Sequence, residues 1–156
     1  MASMREIKRR RNSIRSTEQM TKAMKLVATV RLQKAREKAE QGRPYMDFLR
    51  QTVFSMLSKA KDVRHPYLMG REKGKSAVIL ITSNRGLAGG YNHNVTRLVE
   101  ESGIPREEML VYAIGQKGRE ELARKGFPVV WEKPEMISEP CYQDARDLTG
   151  QLLKDY

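Results

Sequence analysis

With 156 residues and a formal net charge of +11, the chain has room for one compact domain and an appendage, but not for two full domains. Hydrophobic residues make up 39% and charged ones 31%, and no apolar run approaches the roughly 18 residues that a membrane span needs. A single cysteine excludes an internal disulfide framework and fits a reducing compartment, and the opening MASMREIKRRR has no apolar stretch behind it to make a secretory signal.

The charge is concentrated at the start. Thirteen Lys and Arg against four acids from Met1 to Arg43 give +9 of the total +11, so this segment and the remainder are expected to face different partners. Ser3 is placed to cap a helix, with Glu6 three residues on to complete a capping box. From there to Gln41 the chain holds neither Gly nor Pro. Ile7, Ile14, Thr21, Ala28 and Ala35 fall at sevens, with Met24, Val27, Leu32 and Ala39 between them. That is a thin coiled-coil seam rich in small residues, which lets a partner backbone approach closely. Gly42 and Pro44 interrupt the run, after which Met46, Leu49, Val53, Leu57 and Ala60 restore helical spacing. The expectation is a bend near Gly42–Pro44 and helix to about Lys59. The domain reading is a basic helical shaft over 1–62, a linker over 63–74 and an α/β domain over 75–156.

From Lys75 the pattern changes. Ser76–Ser83 is a short continuous apolar run, the mark of a strand buried on both faces. A Gly-rich loop follows, then a helix over Tyr91–Ser102, a second such strand over Met109–Gly115 and a helix over Gln116–Lys125 stopped by Gly126. Phe127–Trp131 is a third, shorter strand, and Tyr142–Asp155 a closing helix. The alternation predicts a small Rossmann-like parallel sheet with right-handed crossovers and an exposed last edge. The fold class is therefore α/β, a long N-terminal helix (half of an antiparallel coiled coil) followed by a small, incomplete parallel α/β domain.

Candidate chemistry is sparse. Cys141, in EPCY, has no second Cys or nearby His and reads as a small inert side chain. His65 and His93 show no metal-ligand spacing and no nucleophile–base pairing, and His65 in RHPYL reads as a turn residue. The loop Thr82–Asn92 joins a strand to a helix N-terminus, a place where phosphates bind. Its glycines, Gly86, Gly89 and Gly90, match neither GxGxxG nor a P-loop. A tight turn with close backbone packing is the plain reading, and nucleotide binding the other. For the basic helix, nucleic acid, a membrane surface or another protein are the open partners. Against nucleic acid, no aromatic residue precedes Tyr45 and small apolar residues hold the heptad positions.

The loop Ile81-Thr-Ser-Asn-Arg-Gly-Leu-Ala-Gly-Gly-Tyr-Asn92 closely resembles the signature that follows the first strand in the gamma subunit of bacterial F-type ATP synthases. Asn84, Arg85, Gly86, Gly89, Gly90 and Asn92 are its signature positions. Further likeness lies in Met4-Arg-Glu-Ile-Lys-Arg-Arg10, Thr21-Lys-Ala-Met-Lys-Leu-Val-Ala28, Arg43-Pro-Tyr45, His65-Pro-Tyr-Leu68 and Ile114-Gly-Gln-Lys-Gly118, in order along the chain. The family usually carries Asp at the position of Asn84, and an acid or neutral residue at that of Lys25.

The resemblance implies a central-stalk rotor that couples rotation of a proton-fed membrane ring to conformational change in the catalytic hexamer. It catalyses nothing itself and needs no cofactor or metal. The implied partners are the alpha and beta subunits of the hexamer, the epsilon subunit and the membrane c-ring, at the cytoplasmic face of the bacterial plasma membrane. Lys22, Met24, Lys25 and Leu26 match the shaft segment facing acidic levers of the beta subunits, with the cluster Arg9, Arg10 and Arg11 as a further contact. Met24 is equally a seam residue, and the arginines equally a solvated face. In the family, further strands and a long C-terminal helix winding against the first follow these residues, so the chain is expected to be an N-terminal portion. Its bare seam between Ile7 and Ala39, or its exposed sheet edge, is expected to self-associate.

Overall fold

A computed structural model of the protein describes residues 3–60, 63–69 and 74–156. Met1, Ala2, Lys61, Asp62 and residues 70–73, which belong to the expected shaft and linker, lie outside the described residues. The chain divides into two compact units, Met1–Met69 and Gly70–Tyr156.

The first unit is dominated by α1, Met4–Lys59, a single helix of 56 residues. Ser3 caps it, but its hydroxyl accepts from the Arg5 N–H at 3.3 Å rather than from Glu6 as a reciprocal box requires. Glu6 instead lies 3.7 Å from Arg10, one of several i,i+4 pairs that include Glu18–Lys22 at 2.7 Å and Arg36–Glu40 at 3.1 Å. Such pairs contribute about 0.2–0.5 kcal/mol each. No residue of α1 is buried.

Helical backbone runs through both Gly42 and Pro44 and on to Lys59, the end that the spacing predicts. Pro44 has no N–H, so the Glu40 carbonyl loses its i+4 partner, and the helical spacing on either side carries the backbone past that gap. After α1, His65 opens a turn, its carbonyl accepting from Leu68 N–H at 2.9 Å and its Nδ1 from Tyr67 N–H at 3.2 Å.

The second unit is a three-layer α/β sandwich. Its elements are β1 (Ser76–Ile81), α2 (Tyr91–Glu100), β2 (Met109–Ile114), α3 (Gln116–Arg124), β3 (Val129–Glu132) and α4 (Tyr142–Asp155), with a single 3₁₀ turn before β2 and another before α4. The strands lie in the order β1-β2-β3, all parallel. Ser76 pairs with Met109 through to Ile81 with Ile114, and the β2–β3 register shifts between Val111 and Tyr112. On one face Leu80, Val99, Met109, Val111, Ala113, Leu122 and Phe127 form a core under α2 and α3. On the other, Tyr112, Ile114 and Leu148 pack with Leu110, Trp131, Met136, Ile137 and Leu152 beneath α4.

One strand expectation needs correction. β2 is buried on both faces, as its apolar run predicts, but β1 is not: Ile79 and Ile81 are about half exposed. An edge strand shares only one side with a neighbour, and the α4 layer covers β2 rather than the outer side of β1. A continuous apolar run marks burial only where both flanks are covered.

Candidate functional site

The helix candidates all sit on α1, and all are exposed. At about 100° per residue, Met24 and Leu26 point roughly 160° apart, with Lys22 and Lys25 between them on the far side. Arg9, Arg10 and Arg11 fan out over about 200° in the same way. No single flat surface can touch these residues together, whereas a partner that encloses the helix can. Met24 and Leu26 are 58% and 69% exposed, so neither is held by packing within the unit. Lys22 is paired with Glu18, and Thr17, Thr21 and Thr29 turn their hydroxyls back onto the helix carbonyls at 2.8–3.0 Å. The helix surface is therefore basic around its circumference, with Ile7, Ile14 and Leu32 on one narrow apolar stripe and Val30 on the opposite side.

The loop candidates are knitted together. Ser83 N–H donates to Asn92 Oδ1 at 2.9 Å, Asn92 Nδ2 donates to Ser83 Oγ at 2.8 Å, and Ser83 Oγ donates to the Arg85 carbonyl at 2.6 Å. Tyr91 OH donates to the Ile81 carbonyl at 3.0 Å, closing the loop from the α2 side. Asn84 uses both ends of its amide: Oδ1 accepts from Gln116 N–H at 3.0 Å, and Nδ2 donates to the Pro134 carbonyl at 2.7 Å. A carboxylate could take the first bond but has no proton for the second. The Asn at this position thus adds a tie to the turn before α4. Arg85, Gly86, Gly89 and Gly90 are exposed along the outside.

Close backbone packing occurs elsewhere than expected. A Cβ at Gly86 or Gly89 would meet nothing within 4 Å. A Cβ at Gly115 would lie 1.9 Å from the Thr82 carbonyl oxygen, and one at Gly118 2.5 Å from Thr82 Cγ2. Thr82, 1% exposed, is the hub: its N–H donates to Ile114, and its hydroxyl accepts from Gly118 N–H at 2.9 Å. Sequence reasoning passed over Thr82, Gly115 and Gly118, although a glycine three residues after the strand-end glycine is the available signal for a helix lying close on a sheet.

Two polar clusters fasten α4. Tyr112, fully buried, donates its hydroxyl to Asp155 at 2.6 Å, and burial first, then that carboxylate, pushes its pKa up to about 12. Lys133 lies 2.8 Å from both Asp144 and Asp147. Hydrogen bonding from Lys133, then from the Cys141 backbone, holds Asp144 at about 2, and Lys133 is raised in turn by the same carboxylates. Cys141 is exposed and caps α4, its N–H donating to Asp144 at 2.9 Å, so its place is structural. His93 lies 3.2 Å from Glu121 across α2 and α3.

Set beside known proteins, residues 3–156 match the sequence model described as ATP synthase. The ATP synthase gamma chain of Lachnoclostridium phytofermentans is 53% identical over 153 residues, covering 98% of this chain and 53% of that one. The ATP synthase gamma chain of Alkaliphilus metalliredigens is 39% identical over 149 residues, covering 96% of this chain and 51% of that one. This chain spans about half the length of these curated relatives.

Proposed function

The chain belongs to the ATP synthase family, and from that premise we propose that it serves as the central stalk of the proton-translocating complex, coupling rotation of the membrane ring to conformational change in the catalytic alpha–beta hexamer. In this reading it does no chemistry itself. The observation that carries it is α1: a helix of 56 residues, basic on every side, with none of its side chains buried. A shaft turning inside a ring needs attraction that is long-ranged and easily exchanged. Flexible Lys and Arg side chains supply that, whereas buried, geometry-specific ion pairs would hold one position. Lys22, Met24, Lys25 and Leu26, with Arg9, Arg10 and Arg11, are the proposed contacts to acidic levers of the beta subunits. Their spread around the helix suits a partner that encloses it.

The epsilon subunit and the c-ring are the proposed partners of the α/β unit, at the cytoplasmic face of a bacterial membrane. Among the described residues no helix is long and apolar enough to cross that membrane. Where partners are absent, the chain is proposed to self-associate through α1 between Ile7 and Ala39 or through the last edge of the sheet, formed by β3. Light scattering across a concentration series tests this last point, and a strictly monomeric species throughout would refute it.

The central-stalk reading is tested by isolating the ATP synthase from the encoding organism with an affinity tag on this chain. The chain should purify with alpha and beta subunits at one copy per hexamer. Replacing Lys22 and Lys25 together by Glu should uncouple ATP hydrolysis from proton pumping while leaving the hexamer assembled. Purification without alpha and beta, or with nucleic acid in their place, would sink the reading.

A further inference from the structure

The two faces of the sheet are covered unequally. Among the described residues the core under α2 and α3 holds seven buried hydrophobic side chains, whereas the core under α4 holds three, of which only Leu148 comes from the helix itself. A helix of 14 residues that buries one side chain gains little from the packing that holds most helices in place. The helices on the opposite face are also locked through the backbone. Gly118 N–H donates to Thr82 Oγ1 at 2.9 Å and Lys117 N–H to the Ser83 carbonyl at 3.0 Å, while Lys125 bridges Glu100 of α2 and Glu121 of α3.

α4 has no such backbone tie. Its own caps aside, among the described residues the hydrogen bonds and ion pairs that join α4 to the rest of its unit are all made by side chains. Lys133 holds Asp144 and Asp147 near its start, and Tyr112 holds Asp155 at its end. Both anchors belong to the sheet. Tyr112 lies in β2, and Lys133 follows β3 directly and donates its N–H to the Ala113 carbonyl at 3.1 Å. The 3₁₀ turn Pro134–Ile137 is held as well, by Asn84 Nδ2 on the Pro134 carbonyl. Between that turn and α4, Glu139 and Pro140 are exposed and make no hydrogen bond or ion pair among the described residues. The fixed body therefore stops short of α4.

We infer that α4 is a strap that opens and closes as a unit of its own over Tyr112, Ile114 and Trp131, while the sheet, α2 and α3 stay closed. Two polar clasps set how often it opens. The Lys133 clasp is charged and partly exposed, so salt weakens it. The Tyr112 clasp is a short bond from a buried phenol, which loses its partner each time the strap lifts. Such a strap gives the unit one compliant layer on an otherwise rigid sheet, and each opening uncovers apolar surface. The inference concerns the α/β unit alone and does not depend on the central-stalk reading.

The test is hydrogen exchange read by mass spectrometry on the full chain as its organism encodes it, with urea added in steps below the unfolding transition. At equal intrinsic rate, amides of α4 should exchange about ten-fold or more faster than those of β2 and α3, through an opening that exposes less surface and so responds less to urea. Tyr112→Phe and Lys133→Met should each speed α4 exchange by a further three- to ten-fold or about that, and leave α3 unchanged. Lys125→Met, on the opposite face, should leave α4 as it is. Raising the ionic strength should speed α4 exchange in the native chain but not in Lys133→Met. Should Tyr112→Phe fail to fold, Lys133→Met, changed nearer the surface, carries the comparison. A single common opening for α4, β2 and α3, with one urea dependence, would overturn the inference. So would variants that speed all three elements alike, or that leave α4 unmoved.

Discussion

A methyl group added at Gly115 would collide with the backbone carbonyl of Thr82, and one added at Gly118 with the side chains of Thr82 and Leu80. The first cannot be relieved by a rotamer change, and Gly115 also holds φ at +106°. Gly115→Ala should cost about 3–5 kcal/mol, Gly118→Ala about 1–3, and Gly86→Ala, facing open space, within about 0.5, as urea titration will measure. Tyr112 gives a second residue-scale outcome. Its pKa is raised in the folded state to about 12 from an ordinary 10.0, so the stability it confers is complete below pH 10 and is lost as pH rises towards 12. Denaturation midpoints followed across that window should fall more steeply for the native chain than for Tyr112→Phe. None of these roles could be read from residue identity, because a buried Thr hydroxyl or Tyr phenol declares itself only through the neighbour it meets. The loop glycines show the converse. They were legible as a strand-to-helix connection, but the close approach they suggested belongs to Gly115, just after β2, and Gly118, in α3.

For the elements, hydrophobic spacing carried most of the information. α4 spans Tyr142–Asp155 as its pattern indicates, and α1 ends at Lys59. α2 and α3 close within a residue or two of expectation, at Glu100 and Arg124. β3 begins later than the apolar residues do, at Val129, because Pro128 cannot donate to a ladder and Phe127 belongs to the core under α3. Pro44 stands inside α1, whose helical backbone continues through it. Its cost remains, however: a proline in a helix interior is about 3 kcal/mol less favourable than alanine. Pro44→Ala should therefore raise helical circular dichroism and slow amide exchange at residues 40–44, and an unchanged exchange pattern there would show that neighbouring groups already satisfy the Glu40 carbonyl. The 3₁₀ turns at Arg106–Glu108 and Pro134–Ile137 were not anticipated, since three or four residues are too short to show a period.

On the scale of the whole molecule, the asymmetry of charge is the dominant fact. With +9 of the net +11 before Pro44, association of α1 with an acidic partner should be steered electrostatically and screened by salt. Association rates with the alpha–beta hexamer should fall by about an order of magnitude or more between low and high ionic strength. The melting of the α/β unit, whose core is apolar, should move little over the same range. A rate insensitive to salt would mean that the basic surface of α1 is not what the partner reads. Composition and periodicity by themselves determined the long basic helix, the order of strands and helices and their parallel pairing, because these follow from local spacing along one chain. Tertiary structure alone decided that β1 is an edge with an exposed flank, that Thr82 is the point where two glycines must be bare, and that Tyr112 fastens α4 through Asp155. Each of those depends on which atoms meet across thirty or more residues, or on which meet none, and no local pattern records that.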